Sequence, residues 1–171
     1  MAESERTRSR ERGPLAENSY ERIMRDREEF LERQKTGPVV IKPADRPMQI
    51  TRQGRIIYFL EPLSYPDTPL QGWQVFKNDI LTHSGKHRHQ GGFAIYVIEG
   101  KGYSIVDGER WDWKKGDLLL LPIRPGGVVH QHFNTEPGKP CIWIAFVPIP
   151  IIDHLALGMT QVETSPDYKG S

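Results

Sequence analysis

His87, Arg88 and His89 place two imidazoles at i and i+2. On a β-strand such a pair points to one face, because side chains alternate across the pleat. His130, far down the chain, is a third imidazole that can arrive from another strand. Three converging ring nitrogens make a pocket for a divalent metal, with coordination positions left for water, a substrate or dioxygen. His132 lies two residues past His130 and shares its face; a fourth ligand, a proton shuttle and a supporting hydrogen-bond partner are all open to it. Cys141 stands alone, so no internal disulfide forms, and no Ser-His-Asp arrangement is visible.

The elements that must position these residues are short strands. From residue 38 the chain alternates β-branched or aromatic runs with turn residues. The runs are Val39–Ile41, Arg55–Leu60, Trp73–Phe76, Phe93–Ile98, Tyr103–Val106, Glu109–Trp113, Leu118–Leu121, Val128–Phe133 and Cys141–Val147. Asp107-Gly108 is a tight-turn signal. Strands at this spacing, with no helix between them, predict a sandwich or barrel rather than a parallel α/β fold. Before them, Asn18 can cap a helix running to Gln34, with Tyr20, Ile23, Met24, Phe30 and Leu31 on one stripe and Gly37-Pro38 as the stop. A short C-terminal helix is expected between Pro148 and Leu157. The division this predicts is a mobile charged arm at 1–17, a helix at 18–37, the barrel at 38–160 and a tail at 161–171.

Composition excludes several classes. A chain of 171 residues with a formal net charge of +1 gives no electrostatic case for nucleic acid or a membrane surface. Its longest apolar runs are too short to cross a bilayer, and the N-terminal residues lack the apolar core of a signal peptide. A cytoplasmic protein with a small-molecule substrate is expected, with neither nucleic acid nor membrane as partner.

Two blocks carry a family resemblance. The first is Gly85-Lys86-His87-Arg88-His89 followed by Gly100; the second is Gly116-x5-Pro122, a short insert, then Pro125-x-Gly127-x2-His130-x3-Asn134. Together they resemble the motifs of the cupin superfamily over about residues 70 to 150. The resemblance implies an all-β double-stranded β-helix, the cupin jelly-roll barrel, with an N-terminal and a short C-terminal helix. It also implies a metal at the barrel mouth, with His87, His89 and His130 as ligands, and a homodimer or higher homo-oligomer. The acidic ligand of the first motif would fall at 93 or 94, where this chain has Phe93 and Ala94. A three-histidine cupin without a carboxylate resembles the gentisate 1,2-dioxygenase type, as do the diketone and thiol dioxygenases. The run from His87 to Arg110 and His130-Gln131-His132-Phe133-Asn134 look most like the gentisate group.

Three neutral imidazoles leave more positive charge on a divalent ion and up to three open positions. This suits Fe(II), a bidentate dihydroxyaromatic or diketone-like substrate, and dioxygen; Mn, Ni, Cu or Zn also suit imidazole. A non-redox metal cupin acting as isomerase, lyase or decarboxylase is the alternative enzyme class, and a small-molecule-binding sensor cupin the alternative to catalysis. For the pocket, the expectations are His132 and Tyr96 in catalytic roles and Ala94 and Arg124 against the substrate. A small residue at 94 leaves room beside the metal. Tyr96 is then either a donor to the substrate or an ordinary barrel aromatic. Arg124 either meets a carboxylate at the mouth or is a solvated loop residue. Parity turns Gln90 outward unless Gly91-Gly92 bulge and reset the register.

Overall fold

A computed structural model describes residues 18–154 and 158–170. The arm expected over 1–17 and the end of the expected C-terminal helix, 155–157, lie outside the described residues. The chain divides into two compact units at Gly37/Pro38. In the first, α1 (Ser19–Thr36) starts where expected: the Asn18 side chain accepts a hydrogen bond from the Glu21 N–H at 3.0 Å. It ends at Gly37, whose N–H donates to the Arg33 carbonyl at 2.9 Å. Its apolar residues Tyr20, Ile23 and Phe30 are exposed.

The second unit is built from two antiparallel sheets. One contains β1 (Gln49–Thr51), β2 (Gly54–Leu60), β3 (Trp73–Asp79), β5 (Phe93–Glu99), β8 (Leu118–Leu121) and β10 (Ile142–Pro148), in the order β1-β2-β3-β10-β5-β8. The other contains β4 (Lys86–His89), β6 (Lys101–Val106), β7 (Glu109–Lys114), β9 (Val128–Asn134) and β11 (Thr160–Glu163), in the order β11-β4-β9-β6-β7. Sequence-distant strands are therefore neighbours, as in the double-stranded β-helix expected from the motifs. Between the sheets lies the core, including Ile95, Val97, Leu121, Val128, Trp143 and Ala145. Asp107 and Gly108 both take positive φ, the pair of left-handed residues that a two-residue hairpin between β6 and β7 requires.

Three local expectations change. Val39 to Ile41 form no strand; Val39 and Val40 are exposed, and the following Pro43–Asp45 make a single 3-10 turn. β-propensity has no effect without a neighbouring strand to pair with, and Pro38 offers no N–H. Residues 161–163, expected in a tail, continue β11, which pairs with β4. The C-terminal helix is α2 (Ile149–His154).

Gln90 is the third change, because it turns inward and is buried. Its side-chain oxygen accepts from the Gly91 and Arg124 N–H groups at 2.9 and 3.0 Å, and its amide donates to the Arg124 carbonyl at 2.9 Å. This clamp draws the chain so tightly against Pro122 that a Cβ at Gly91 would stand 1.9 Å from the Pro122 carbonyl oxygen. Gly92 then takes φ +92°, a conformation L side chains rarely adopt. The two glycines break the strand after His89, and it restarts as β5 with odd-numbered residues again facing inward.

Candidate metal centre

β4 carries His87 and His89 on one face with Arg88 exposed on the other, as alternation demands. β9 pairs antiparallel with β4 in a register that sets His130 directly opposite His87. The three rings meet with centroids 4.3 Å (His87–His130), 4.7 Å (His89–His130) and 5.1 Å (His87–His89) apart. Each offers a ligand nitrogen, and the three lie within 4.8 Å of one another.

The backbone selects which nitrogen is offered. Nδ1 of His87 lies 3.2 Å from the Gly85 carbonyl, Nδ1 of His89 2.7 Å from that of Gln90, and Nδ1 of His130 3.4 Å from that of Val128. A carbonyl only accepts, so in each neutral ring Nδ1 carries the hydrogen and Nε2 keeps its lone pair. Orientation of ligand imidazoles by such hydrogen bonds is a common feature of metal sites. Burial holds all three neutral. His87 is lowered to about 4 by desolvation first and by His89 second, against the opposing Gly85 carbonyl. His89 is lowered by desolvation, and His130 well below its ordinary value by desolvation and then its three histidine neighbours. Neutral imidazole is the form a metal needs, so this donor set fits a divalent cation.

His132 stands apart from the cluster. Its Nδ1 lies 2.7 Å from the Ser104 hydroxyl, which also accepts from the Trp113 indole N–H at 2.8 Å. Ser104 thus ties the His132 ring into the barrel floor. His132 lies outside the group of three rings whose ligand nitrogens come together, and it underlies the site. Desolvation lowers it to about 3.

The other expected pocket residues do not line the site. After the Gly91-Gly92 break it is Phe93, with Ile95 and Val97, that turns inward. The Phe93 ring lies 5.1 Å from His89 and 6.3 Å from His130, in the position of the absent carboxylate. Ala94 and Tyr96 face the other way: Tyr96 is exposed, and Ala94 borders an outer groove with Leu120 and Phe146. Arg124 pairs with Asp107 at 2.7 Å, away from the histidines.

Strands far from the motifs supply the remaining walls. A cavity of about 260 Å³ opens onto His87, His89 and Phe93 and is bounded by Gln53, Tyr58, Gln74, Phe76, Val147 and Met159. Beneath it a void of about 20 Å³ reaches all three histidines and His132. Sequence reading missed Gln53, Tyr58, Gln74 and Phe76. A signal was present in β3, where Gln74, Phe76 and Asn78 alternate on the face that β10 continues with Val147, Ala145 and Trp143. Polar residues sharing an inward face with an aromatic mark a lined cavity rather than a dry core.

An acid-stability prediction follows from the buried rings. In the unfolded chain these histidines take protons near pH 6.5, whereas in the fold they resist until far lower pH. Their contribution to stability is present above pH 6.5 and is lost as pH falls through the window towards 4. Metal-free protein should show a constant urea midpoint above about pH 7 and a steep decline below about 6. A flat midpoint from pH 7 to 4 would contradict neutral burial.

Residues 82–147 match the family of cupin domains known as Cupin_2. A gentisate 1,2-dioxygenase from Ralstonia is 31% identical over 70 residues, covering 40% of this chain and 19% of that enzyme. One from Streptomyces is 35% identical over 82 residues, covering 47% and 21%. The chain thus spans about a fifth of the length of the curated relatives it matches. Among solved structures, a cupin-like protein from Thermotoga maritima is similar at a TM-score of 0.50 and 22% identity, over 65% of this chain and 78% of that one. Residues 82–147 are thus similar to a cupin domain, and the fold is the jelly roll seen in cupin-like structures. Among the described residues, no helix is long and apolar enough to cross a membrane.

Proposed function

We propose that this protein is a metal-dependent cupin enzyme, a non-haem Fe(II) dioxygenase that acts on a small oxygenated molecule, with His87, His89 and His130 as the ligands. The observation that carries the reading is the set of three buried imidazoles with ligand nitrogens within 4.8 Å of one another and no carboxylate among them, Phe93 standing at one of the two positions where the motif would put an acidic ligand. Iron held by these three residues would supply open coordination positions and a redox centre through which electrons of a chelating substrate reach dioxygen. The likeness to gentisate dioxygenases supports the same chemistry.

The chain's own residues do the rest. The carbonyls of Gly85, Gln90 and Val128 hold the imidazoles in one tautomer and orientation, so little rearrangement accompanies ligation. Phe93, Phe76 and Val147 wall the cavity with apolar surface and limit bulk water. Desolvation first, and then Glu61, raise the Tyr58 phenol, so it stays protonated and can donate to a substrate oxygen.

Oxygen uptake tests the reading. Protein loaded anaerobically with Fe(II) is mixed with a panel of dihydroxybenzoates and β-diketones, then with dioxygen. One molecule of dioxygen should be consumed per substrate cleaved, and His89→Ala should show none. Turnover without oxygen consumption would mark a non-redox metal enzyme, and no uptake with any chelating substrate would remove the dioxygenase assignment.

A further inference from the structure

The cavity beside the histidines has a chemistry of its own, set by the polar residues that share its lining with them. Gln53 comes from the turn between β1 and β2, Tyr58 from β2 and Gln74 from β3. All three polar groups are neutral: two carboxamides and a phenol that desolvation keeps protonated. Amides both donate and accept, so this wall answers hydroxyl, carbonyl or ether oxygens. A carboxylate placed there would instead shed its hydration with no counter-charge, at a cost of several kcal/mol. Among the described lining residues there is no Lys or Arg. Two nearby arginines are held elsewhere, Arg55 by Asp79 at 3.3 Å and Arg124 by Asp107 at 2.7 Å.

Size and shape narrow the occupant further. At about 260 Å³ the cavity exceeds the ~150 Å³ that takes a bare benzene and falls below the ~300 Å³ at which pockets for drug-sized ligands begin. Tyr58 and Phe76, with rings 5.5 Å apart, and Phe93 present aromatic surface to a flat molecule. Met159, which takes a hydrogen bond from the Gln53 amide, adds an adaptable edge.

We propose that this site selects a one-ring substrate, or one of equal size, that carries no charge beyond the oxygens that chelate the metal, its other polar groups being met by Tyr58 and Gln74, with Gln53 nearer the histidines. The inference rests on the three-histidine metal reading and separates this chain from an enzyme for a substrate with a second, distal carboxylate.

Binding of two hydroxypyranones to the Co(II)-loaded protein tests it, read by titration calorimetry and the visible Co(II) bands. Kojic acid and comenic acid chelate through the same oxygen pair and differ at the far side of the ring, a hydroxymethyl group in one and a carboxylate in the other. Each affinity is normalised to that for the aqueous ion. Kojic acid should bind at least about thirtyfold more tightly. Gln74→Arg should strengthen comenic acid by about tenfold or more without changing Co(II) affinity, and Gln53→Arg provides the same test from the opposite side. Equal normalised affinities, or arginine variants that leave comenic acid unimproved, would overturn the inference while leaving the metal reading intact. Failure of the protein to bind Co(II), or of both pyranones to perturb its bands, would overturn the metal reading and this inference with it.

Discussion

Substitution of His130 by alanine is expected to lower divalent-ion affinity by more than a hundredfold while the barrel remains folded. Loss of a group that merely orients a ligand costs about 10–100-fold, and loss of the ligand itself should exceed that. His130 is the ring through which β9 reaches the pair on β4, with centroids 4.3 and 4.7 Å from its partners. Without it two imidazoles on one strand remain, a set too small to close a site. The fold should survive because the ring borders an existing void and because the variant no longer buries that neutral histidine against two others. The measurement is the rise in melting temperature on adding Co(II) or Zn(II), which appears only where the metal binds the folded state. The rise should be present in the parent and in His83→Ala, whose ring lies outside the cluster and against Phe133. It should be absent in His130→Ala. An undiminished rise in His130→Ala would show that the ion binds elsewhere.

Phe93→Glu should have the second-largest effect, a loss of stability that metal partly offsets. Phe93 is buried and turned towards His89 and His130, so a glutamate there places its carboxylate among the imidazoles. Without metal, loss of the ring and burial of a charge should destabilise the protein by about 4 kcal/mol. With metal, the added anionic ligand should raise affinity by about tenfold, which returns about 1.4 kcal/mol of that loss. Phe93→Gln separates shape from charge, since it should be destabilised without gaining affinity. Melting curves at pH 8, with and without Zn(II), read both effects. Equal destabilisation in the two conditions would show that position 93 does not face the ion.

The three histidines were legible in the sequence for a local reason. A strand puts i and i+2 on one face, so His87 and His89 had to point together once Lys86–His89 was extended. The glycine and proline spacing around His130 was legible for a similar reason. Gly127, at φ +81° and with its Cβ position 2.9 Å from the His89 carbonyl oxygen, is where the loop must pass close beneath β4. The parity of β5 was less legible. Alternation from His89 reaches Phe93, but the Gly91-Gly92 break left open whether that alternation held; with Gly91 fitted against Pro122 and clamped by Gln90, Phe93 keeps the inner face. Tyr96 and Ala94 followed from the other parity and so fall on the outer face.

The sequence by itself determined the elements and the donor set: alternating strands, a capped helix, and imidazoles at a spacing that one strand must bring together. Those features depend on φ, ψ and side-chain direction over a few residues, which local physics governs. Only the tertiary structure decided that β9 registers His130 against His87, that Ser104 ties down His132, and that Gln53, Tyr58 and Gln74 line the cavity beside the histidines. These depend on which strands become neighbours across two sheets, a choice set by collective burial of the core.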